Sequence, residues 1–383
     1  MNLAIDVTSI PLQPAGVGVY VINLTRALIM HAPKSGFKVF IFGRNNQCGM
    51  PEFQGARFVE CGMMSRAKRI LWEQTMFPLV LSRNKISLLH SPNYSIPVLA
   101  QCKRVCTIHD LTSLNFPTRR KFWHGLYFRK MIAIAARFAD FILSDSENTR
   151  QDIIQYFPRA RYKIKTVYPA CRPVFNLPPE TGSDLKFARL ELGQGYFLFV
   201  STIEPSKNLA RLIEAFEMFR SKAHSNTNLV IVGKRGWNYH EVMSRIRKSE
   251  AVQGIKVLGY QEDDILVHLY KNALALIYPS LYEGFGMPPL EAMSVNTPVL
   301  ASNASSIPEV VGDAALLFDP EDTNAMMLRM IEIYENNDLR RNLSAKGALR
   351  AQLFSWDMAA QETIAIYKSV LMGENRFSPD NSP

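Results

Sequence analysis

The sequence contains no stretch of about 18 residues that is free of both charged residues and strong helix breakers, which argues against a membrane-spanning helix. Its first Lys or Arg is Arg26, so the basic start of a secretory signal is missing and we expect no cleaved signal peptide. Low-complexity tracts are also absent. With 47% hydrophobic and 20% charged residues, the chain is typical of a globular protein and not of a disordered, collagen-like or coiled-coil one.

Cysteine is scarce, and its pattern excludes a regular disulfide framework. The five cysteines are odd in number and include no Cys-x-x-Cys pair: Cys48, Cys61, Cys102, Cys106 and Cys171. Reduced thiols of a cytosolic protein are the simplest interpretation, and a metal site is the less favoured alternative.

The length of 383 residues exceeds what one compact core normally holds, so two domains are expected. The net charge of +10 is unevenly distributed between the two halves. Residues 1–180 carry 24 Lys and Arg against 10 Asp and Glu, a balance of +14, while the rest carry 20 against 24, or −4. This asymmetry suggests an anionic partner for the first half: a membrane surface, a nucleic acid or a phosphorylated acceptor. A basic surface without a partner is the alternative.

Short apolar runs rich in β-branched residues alternate with longer amphipathic segments along the chain. This alternation predicts two parallel sheets covered by helices on both faces, which is an α/β architecture of two Rossmann-like domains with a cleft between them. One helical stripe is formed by Leu209, Leu212, Ile213, Phe216 and Phe219. The predicted strands are 3–6, 38–42, 86–90, 104–109, 141–144, 164–167, 196–200, 228–232, 255–258, 274–278, 298–301 and 315–318.

A region rich in proline and glycine between Pro169 and Gly195 interrupts this rhythm and predicts the domain boundary. We assign 1–172 to an N-terminal domain, 173–192 to a linker and 193–358 to a C-terminal domain. Residues 359–383 are predicted to form a helix followed by a tail.

The densest group of candidate site residues follows the strand predicted at 274–278. Gly284 and Gly286 allow backbone amides to approach a ligand, and a helix predicted to start at about Pro288 favours an anion at its N-terminus. Glu283 and Glu291 are eight residues apart, so their carboxylates can address different hydroxyls of one elongated ligand. Alternatively, Glu291 complements the helix dipole and Glu283 is solvated.

The segment Glu-Gly-Phe-Gly-Met-Pro-Pro-Leu-Glu-Ala-Met at 283–293 resembles the hallmark of retaining glycosyltransferases of family four, which have the GT-B fold. Further similar segments occur in the expected order, and they extend the resemblance over most of the chain. These segments are 15–20 (AGVGVY), 107–111 (TIHDL), 144–150 (SDSENTR), 202–209 (TIEPSKNL) and 232–237 (VGKRGW).

The resemblance implies that the N-terminal domain 1–172 binds the acceptor, that the C-terminal domain 193–358 binds a nucleotide sugar as donor, and that the helix in 359–383 crosses back to the first domain. Glu283 would bind sugar hydroxyls, Glu291 the ribose, and Lys207 the departing diphosphate, for which a mobile ammonium is suited. Read in isolation, Gly16 could belong to an ordinary βα turn and Lys207 could be solvated. The residues that the resemblance assigns to donor binding are Gly16, Gly18, Glu204, Ser206, Lys207, Lys234, Arg235, Glu283, Gly284, Phe285, Gly286, Met287 and Glu291.

The resemblance also places His109 beside the donor sugar, where it would bind a hydroxyl or the developing charge, and gives catalytic roles to His109, Glu283 and Lys207. A proton-transfer role for His109 is not implied, because retaining members are thought to use the leaving phosphate for that purpose. Asp110, which would orient His109 or line the acceptor side, and Tyr20 are assigned to the acceptor side. A purely structural histidine is the alternative.

The chain departs from the family pattern next to Lys207, where related sequences commonly have an arginine and this sequence has Ser206. A hydroxyl cannot clamp a diphosphate as a guanidinium does, so either Lys234 or Arg235 compensates or donor affinity is modest. The Asp-x-Asp pair of metal-dependent glycosyltransferases is missing, and Asp263-Asp264 is interpreted as a helix cap. We therefore predict a transfer that needs no metal and no cofactor.

Two segments of the first half interleave basic and aromatic residues, as is typical of a surface that binds an anionic bilayer. They predict docking on the inner face of a plasma membrane, where a polyprenyl-diphosphate-linked glycan would be the acceptor. Single-stranded nucleic acid is the weaker alternative, and solvated helix faces are another. The residues predicted to face the membrane are Arg66, Lys68, Arg69, Trp72, Arg119, Arg120, Lys121 and Trp123.

Together these features predict a cytoplasmic, peripheral enzyme that transfers a hexose with retention, with GDP-mannose as the favoured donor by resemblance to mannosyltransferases of O-antigen biosynthesis. A UDP-hexose or GDP-rhamnose donor is the alternative within this class. A catalytically silent nucleotide-sugar-binding scaffold and a sugar-nucleotide epimerase are the alternatives outside it.

Overall fold

The computed structural model of the chain describes residues 1–10, 16–47, 50–62, 65–115, 122–178, 182–193 and 195–374. It divides into two compact units, which are described separately. The first unit combines residues 1–170 with the described residues from 354 onward, and the second is the continuous stretch 171–353. No helix among these residues is long and apolar enough to cross a membrane.

The first unit is built on a parallel sheet with the strand order β3-β2-β1-β4-β5-β6-β7. Every strand pair in this sheet runs parallel, as the βα alternation of the sequence predicts. Its strands are β1 (Asn2–Asp6), β2 (Lys38–Gly43), β3 (Arg57–Glu60), β4 (Leu88–Ser91), β5 (Lys103–Ile108), β6 (Phe141–Ser144) and β7 (Ile164–Thr166). The helices of this stretch are α1 (Val17–His31), α2 (Arg66–Thr75), α3 (Phe77–Arg83), α4 (Thr112–Asn115), α5 (Phe122–Phe138) and α6 (Glu147–Tyr156).

The second unit repeats this plan with a parallel sheet of order β10-β9-β8-β11-β12-β13. Its strands are β8 (Tyr196–Val200), β9 (Asn228–Val232), β10 (Ile255–Gly259), β11 (Ala275–Tyr278), β12 (Val299–Ser302) and β13 (Ala315–Phe318). Its helices are α7 (Ser183–Ala188), α8 (Leu209–Lys222), α9 (Tyr239–Arg247), α10 (Asp263–Lys271), α11 (Met287–Ser294), α12 (Ile307–Val311), α13 (Thr323–Glu335) and α14 (Asn337–Ala351).

The predicted apolar stripe of α8 forms part of the core of the second unit. All five of its side chains, from Leu209 to Phe219, are at most 1% exposed. They pack with Phe197 of β8 and Ile231 of β9. Burying an aliphatic or aromatic side chain of this size contributes about 1.5–3 kcal/mol, so this stripe is a major source of stability for the unit.

Each predicted strand is present, within two residues at either end, but the sequence did not reveal β3. This strand, Arg57–Glu60, has the burial pattern of an edge strand, with exposed charged residues at both ends and half-buried Phe58 and Val59 between them. It pairs on one side only, with β2. Its short, charged composition is typical of a sheet edge and lacks the apolar run that identifies a central strand.

The boundary of the second unit differs from the assignment of 173–192 as a linker. Described residues of that stretch, including a 3-10 turn at Pro173–Asn176 and α7, belong to the second unit and pack on its helix α10. Residues 354–358, assigned to the C-terminal domain, belong to the first unit instead.

The last helix, α15 (Trp356–Met372), contributes to the core of the first unit. Its Ile364 and Tyr367 are buried in one cluster with Leu3 and Ile5 of β1, and it packs along α1. The first unit is therefore assembled from two segments that lie far apart in the sequence.

Candidate functional site

The site residues of the second unit meet where the strand order changes direction. β8, the first strand of this sheet, lies beside β11, while β9 and β10 extend the other way. In open α/β sheets, ligands bind outside the carboxyl ends of the strands at this switch point. Lys207 follows β8 in a 3-10 turn at Pro205–Lys207, and Glu283 follows β11. Their backbone loops are joined, since the Leu281 amide donates to the Ser206 carbonyl at 2.9 Å.

The carboxylate of Glu283 is held by three donors that all meet the same oxygen. Its Oε1 accepts from Lys207 Nζ at 2.6 Å, Tyr278 Oη at 2.7 Å and Ser280 Oγ at 2.6 Å. The side chains of Lys207 and Glu283 are only 16% and 13% exposed, so neither is a solvated surface charge. Among the described residues, no donor is hydrogen-bonded to the second oxygen, Oε2.

Tyr278 remains a hydrogen-bond donor in this cluster. Its side chain is 2% exposed. Burial, followed by the charge of Glu283, raises the pKa of its phenol well above 10.0, so the hydroxyl stays protonated. A buried, neutral donor fixes the direction of the Glu283 carboxylate.

Serine hydroxyls fix the backbone of the loop that contains Glu283. Ser305 Oγ donates to the Glu283 carbonyl at 2.7 Å and accepts from its amide at 2.8 Å, while Ser306 Oγ donates to the Phe285 carbonyl at 2.8 Å. Gly286 then caps α11 with φ 110°, a conformation that favours glycine. Helix α11 begins at Met287, one residue before the predicted start, which places Glu291 beyond the first helical turn.

Glu291 lies in a second, separate cluster. The side chain is buried, at 4% exposure, and both of its carboxylate oxygens have partners. Oε1 accepts from Arg172 Nε at 2.7 Å, and Oε2 accepts from Tyr270 Oη at 3.1 Å. The alternative that Glu291 only complements a helix dipole does not describe this residue, since it forms a buried ion pair.

Ser206 and Glu204, both assigned to donor binding, are hydrogen-bonded to each other. Ser206 Oγ donates to Glu204 Oε1 at 2.6 Å, and Ser206 is 3% exposed. The position at which related sequences commonly have arginine is therefore occupied by a small buried hydroxyl that secures the loop before Lys207.

The two cations proposed to compensate for the missing arginine lie at the carboxyl end of β9. Lys234 Nζ is 4.8 Å from the ring centroid of Tyr260, and the Arg235 guanidinium is 5.1 Å from that of Tyr239. The preceding Gly233 has no room for a side chain, because a Cβ there would lie 1.7 Å from the Ser201 carbonyl oxygen. Compensation by either cation stays a prediction.

In the first unit, the glycine loop leads into α1. Gly16 is the N-cap of this helix with φ 51° and ψ −116°, and a Cβ at this position would meet no atom within 4 Å. The positive φ, not lack of space, is what favours glycine here. Gly18 is buried within the helix.

His109 lies directly after β5 and is held at both ring nitrogens. Nδ1 donates to Asp145 Oδ2 at 2.7 Å, and Nε2 donates to the Pro92 carbonyl at 3.2 Å. Both partners are acceptors, so each ring nitrogen is placed to donate a hydrogen bond. Burial alone would lower the pKa of His109, but Asp145, the Pro92 carbonyl and Asp110 together raise it above 6.5.

The residue hydrogen-bonded to His109 is Asp145 and not Asp110, so of the two roles expected for Asp110 only the acceptor-side one stays a prediction. The Asp110 carboxylate accepts instead from the Thr112 amide at 2.8 Å, an arrangement that fixes the loop after β5. Asp145 follows β6, the neighbour of β5 in the sheet, which brings it to the same edge as His109. Its other oxygen, Oδ1, is buried without a hydrogen-bond partner in the described structure.

Tyr20, assigned to the acceptor side, supports His109 from within the unit. It is 7% exposed, and its ring lies edge-on to the His109 ring at 4.7 Å between centroids. Its hydroxyl is 3.4 Å from Thr107 Oγ1, which lies 3.0 Å from His90 Nε2. His90 in turn binds the Tyr367 hydroxyl of α15 at 2.6 Å through Nδ1. A buried polar chain therefore joins the last helix to the surroundings of His109.

The residues predicted to face a membrane are only partly on the surface. Lys68 is exposed, but Arg69 Nη1 pairs with the buried Glu73 at 3.0 Å, and Trp72 stacks on Phe77 at 4.8 Å in a core cluster. Arg69 and Trp72 are half-buried and have partners within the unit, so Lys68 is the exposed one of these three, and a membrane-facing role for the set stays a prediction. Arg119, Arg120 and Lys121, together with the side chains of Arg66 and Trp123, lie outside the described part of the chain.

Sequence reasoning missed the partners that hold the site residues in place: Asp145, Arg172, Tyr270, Tyr278, Ser280, Ser305 and Ser306. Asp145 lies in a segment that resembles a family landmark, and Tyr278 is the last residue of a predicted strand, so their positions at the sheet edge could have been inferred. Arg172 and Tyr270 carry no such signal, because nothing in their local sequence points to Glu291.

Comparisons with known proteins match both units. A family model described as "Glycosyltransferase Family 4" matches residues 14–173, and one described as "Glycosyl transferases group 1" matches residues 183–350. The chain is 33% identical over 283 residues to the O-antigen chain mannosyltransferase B of Escherichia coli, covering 73% of this chain and 74% of that protein.

A second relative is longer than this chain. The serotype-specific mannosyltransferase WbdA of Escherichia coli is 27% identical over 296 residues, covering 74% of this chain but 36% of WbdA. Among solved structures, sucrose-phosphate synthase from Thermosynechococcus elongatus is similar with a TM-score of 0.77 and 19% identity, covering 97% of this chain and 99% of that one. At this identity the likeness shows a shared fold.

Proposed function

We propose a specific reaction for this chain. The chain belongs to glycosyltransferase family 4, has the GT-B fold and is a glycosyltransferase. The proposed activity is transfer of mannose from GDP-mannose, with retention of the anomeric configuration, to a lipid-linked glycan in bacterial polysaccharide biosynthesis. Both reported Escherichia coli relatives are named mannosyltransferases, and this supports mannose as the transferred sugar.

The observation that carries the proposal is the 2.6 Å contact between Lys207 and Glu283 at the switch point of the second sheet. It places a cation and a carboxylate where a nucleotide sugar would present both a diphosphate and sugar hydroxyls. Lys207 would stabilise the charge that grows on the departing diphosphate. Glu283, oriented by Tyr278 and Ser280, would accept hydrogen bonds from sugar hydroxyls through Oε2.

The proposed reaction balances without a further reactant. The bond between the anomeric carbon and the diphosphate oxygen breaks, and the bond to the acceptor oxygen forms on the same face of the sugar. The acceptor proton passes to the departing diphosphate, so no side chain must act as the base. Both ring nitrogens of His109 are held, by Asp145 and by the Pro92 carbonyl, so binding of a sugar hydroxyl would require Nε2 to exchange its 3.2 Å contact with that carbonyl.

Calorimetric titration of the full chain with GDP, UDP and ADP, each with and without EDTA, tests the donor. Binding of GDP in preference to the other two, unchanged by EDTA, is the expected result. A preference for UDP would replace the proposed donor within the same enzyme class. Loss of binding in EDTA would contradict the metal-free transfer.

A catalytically silent scaffold is the alternative that the buried Ser206 favours, because this position supplies no guanidinium for the diphosphate. Release of GDP from GDP-mannose by the unaltered chain, and its loss in Glu283→Ala, is expected for an enzyme. Glu241→Ala, at the start of α9, is the matched control, since it removes a carboxylate of the same unit outside both clusters. Equal release by all three proteins would contradict the role of Glu283.

Docking of the first unit on an anionic membrane is the remaining part of the proposal. It rests on the balance of +14 in residues 1–180 against −4 in the rest, with Lys68 exposed on α2. The full chain should float with anionic liposomes at low salt and be released at high salt, because screening weakens such contacts. Failure of the folded protein to float at low salt would contradict this part alone.

A further inference from the structure

The first residues of the second unit pack against helices α10 and α11 near Glu291. Residues 171–175 contact α10 and α11 through the 3-10 turn at Pro173–Asn176. Cys171 Sγ is 3.3 Å from Ser294 Oγ, and this hydroxyl donates to the Glu291 carbonyl at 2.7 Å. The backbone on both sides of the Arg172–Glu291 contact is therefore fixed.

Arg172 bridges two carboxylates of unequal exposure. Its Nε donates to Glu291 Oε1 at 2.7 Å, and its Nη1 donates to Asp263 Oδ1 at 2.5 Å. Asp263 is 44% exposed at its side chain, whereas Arg172 and Glu291 are 16% and 6% exposed. The guanidinium also lies 4.9 Å from the Phe175 ring centroid. Asp263 and Phe175 are thus two further partners of the guanidinium beside Glu291.

Tyr270 completes the support of the Glu291 carboxylate. It lies seven residues after Asp263, two turns along the same face of α10, and donates to Oε2 at 3.1 Å. Burial and the charge of Glu291 raise the pKa of the Tyr270 phenol well above 10.0, so it stays a donor. Each carboxylate oxygen has two acceptor sites and uses one of them internally. With the partners that the described residues provide, two acceptor sites remain, which matches the two hydroxyls of a ribose.

We propose that Arg172, assisted by Tyr270, is a positioning residue that holds the Glu291 carboxylate oriented to accept both ribose hydroxyls of the nucleotide donor. This inference rests on the proposed function of Glu291 and adds the residues on which that function depends. Removing one partner of a buried ion pair leaves the other without the hydrogen bond that fixed its direction. Loss of Arg172 should therefore weaken the contact to the hydroxyls, although Arg172 itself touches no part of the ligand.

The test compares binding of GDP and of 2′,3′-dideoxy-GDP to the full chain, because only GDP offers the two hydroxyls. In the unaltered chain, GDP is expected to bind about 10-fold or more tightly than its dideoxy analogue, as for hydrogen bonds to a charged group. In Arg172→Gln this preference should fall to nearly one through loss of GDP affinity, while dideoxy-GDP affinity stays the same. Tyr270→Phe should lower the preference by a smaller factor.

The ion pair between Arg245 and Glu217 provides the matched control. Arg245 binds Glu217 at 2.8 and 2.5 Å in the same unit, on α9 and α8, and Arg245→Gln should leave the nucleotide preference unchanged. If Arg172→Gln weakens both nucleotides equally, the pair is only structural; if it tightens GDP, Arg172 competes with the ribose. Either result overturns the inference. Should Arg172→Gln fail to fold, an unchanged preference in Tyr270→Phe would overturn it.

Failure of ribose recognition by Glu291 and failure of the proposed GDP-mannose donor give different binding results. If the unaltered chain binds GDP and dideoxy-GDP equally, Glu291 does not read the ribose and the positioning role is refuted with it. If the unaltered chain binds UDP but neither guanine nucleotide, the GDP-mannose donor is refuted, and the same pair of measurements with UDP and its dideoxy analogue decides on Arg172.

Discussion

The strand orders of the two units match over six strands, with β7 as an addition in the first, but the charged residues of their candidate sites differ. In the second unit, Lys207 and Arg172 each pair with a glutamate, and Glu283 and Glu291 keep acceptor capacity for a ligand. In the first unit the charged centre is His109, whose two nitrogens are occupied by Asp145 and the Pro92 carbonyl.

This difference shows that strand order fixes where a site forms, whereas the residues after each strand decide what it can bind. The switch point brings the loops after β8 and β11 together because those strands are neighbours in the second sheet. In the first sheet, the same reasoning brings the loops after β5 and β6 together. The candidate site of the second unit contains carboxylates paired with cations. That of the first unit contains a histidine whose ring is hydrogen-bonded at both nitrogens.

Truncation of a core residue gives the largest expected effect and tests whether the cores of the two units are separate. Phe216→Ala removes a fully buried ring from the second core and should cost about 3–5 kcal/mol of unfolding free energy. Hydrogen exchange should show loss of protection in β8 and β9 while β1 and β2 keep theirs. Leu328→Ala, at a side chain that is 57% exposed, is the control. Equal loss in both units would contradict separate cores.

Replacement of Lys207 tests whether the cation of the second unit acts in the chemical step. Lys207→Met keeps the length of the side chain but removes the charge, and we expect kcat to fall about 10²–10³-fold, as when one group that stabilises transition-state charge is lost. Lys222→Met, at the exposed end of α8, should leave turnover unchanged. An unchanged kcat in Lys207→Met would remove this residue from the mechanism.

One carboxylate in each unit, buried Glu73 in the first and half-buried Glu217 in the second, should make stability respond to pH in opposite directions. In the first unit, burial and the charge of Asp6 raise the pKa of Glu73 to about 7. The folded state then binds more protons than the unfolded one between pH 4.5 and 7, so stability falls as pH rises through this range, by on the order of 3 kcal/mol. Glu73→Gln should flatten that decline in a series of urea titrations from pH 5 to 8.

Glu217 of the second unit supplies the contrast. Burial alone would raise the pKa of Glu217, but hydrogen bonds from Arg245 and Ser249 lower it below 4.5. Its contribution to stability is therefore present above the unfolded pKa and is lost as pH falls through the folded value. Glu217→Gln should lower the free energy of unfolding more at pH 7 than at pH 3.5. If Glu73→Gln also lowered it more as pH rises, the contrast between the two carboxylates would be contradicted.

Two buried tyrosine hydroxyls, one in each unit, give the smallest expected effect. Tyr367 binds His90 Nδ1 at 2.6 Å, and Tyr196 donates to the Leu269 carbonyl at 2.7 Å. Replacing either by Phe leaves one buried polar partner unsatisfied and should cost about 1–3 kcal/mol. Only Tyr367→Phe should shift the imidazole NMR signals of His90 and His109, and an equal response to Tyr196→Phe would contradict the polar chain in the first unit.

Much of the fold could be predicted because its elements follow local patterns. Runs such as Tyr196–Val200 are apolar throughout, as expected for a strand covered on both faces, and α8 has its apolar residues at helical spacing. Edge strand β3 lacks such a run. The places of Lys207 and Glu283 in the candidate site were predictable, since both residues follow strands. The comparisons confirm the family and the fold that the segments around these residues indicated.

The partners of these residues were not predictable, because they come from distant parts of the sequence. Lys207 and Glu283 are 76 residues apart, Arg172 and Glu291 are 119 apart, and His109 takes Asp145, 36 residues away, over the adjacent Asp110. Local spacing specified the strands, the helices and the loops that could carry chemistry. Only the packing of the sheets decided which donors reach which carboxylate, since hydrogen bonds depend on distance in space and not on separation along the chain.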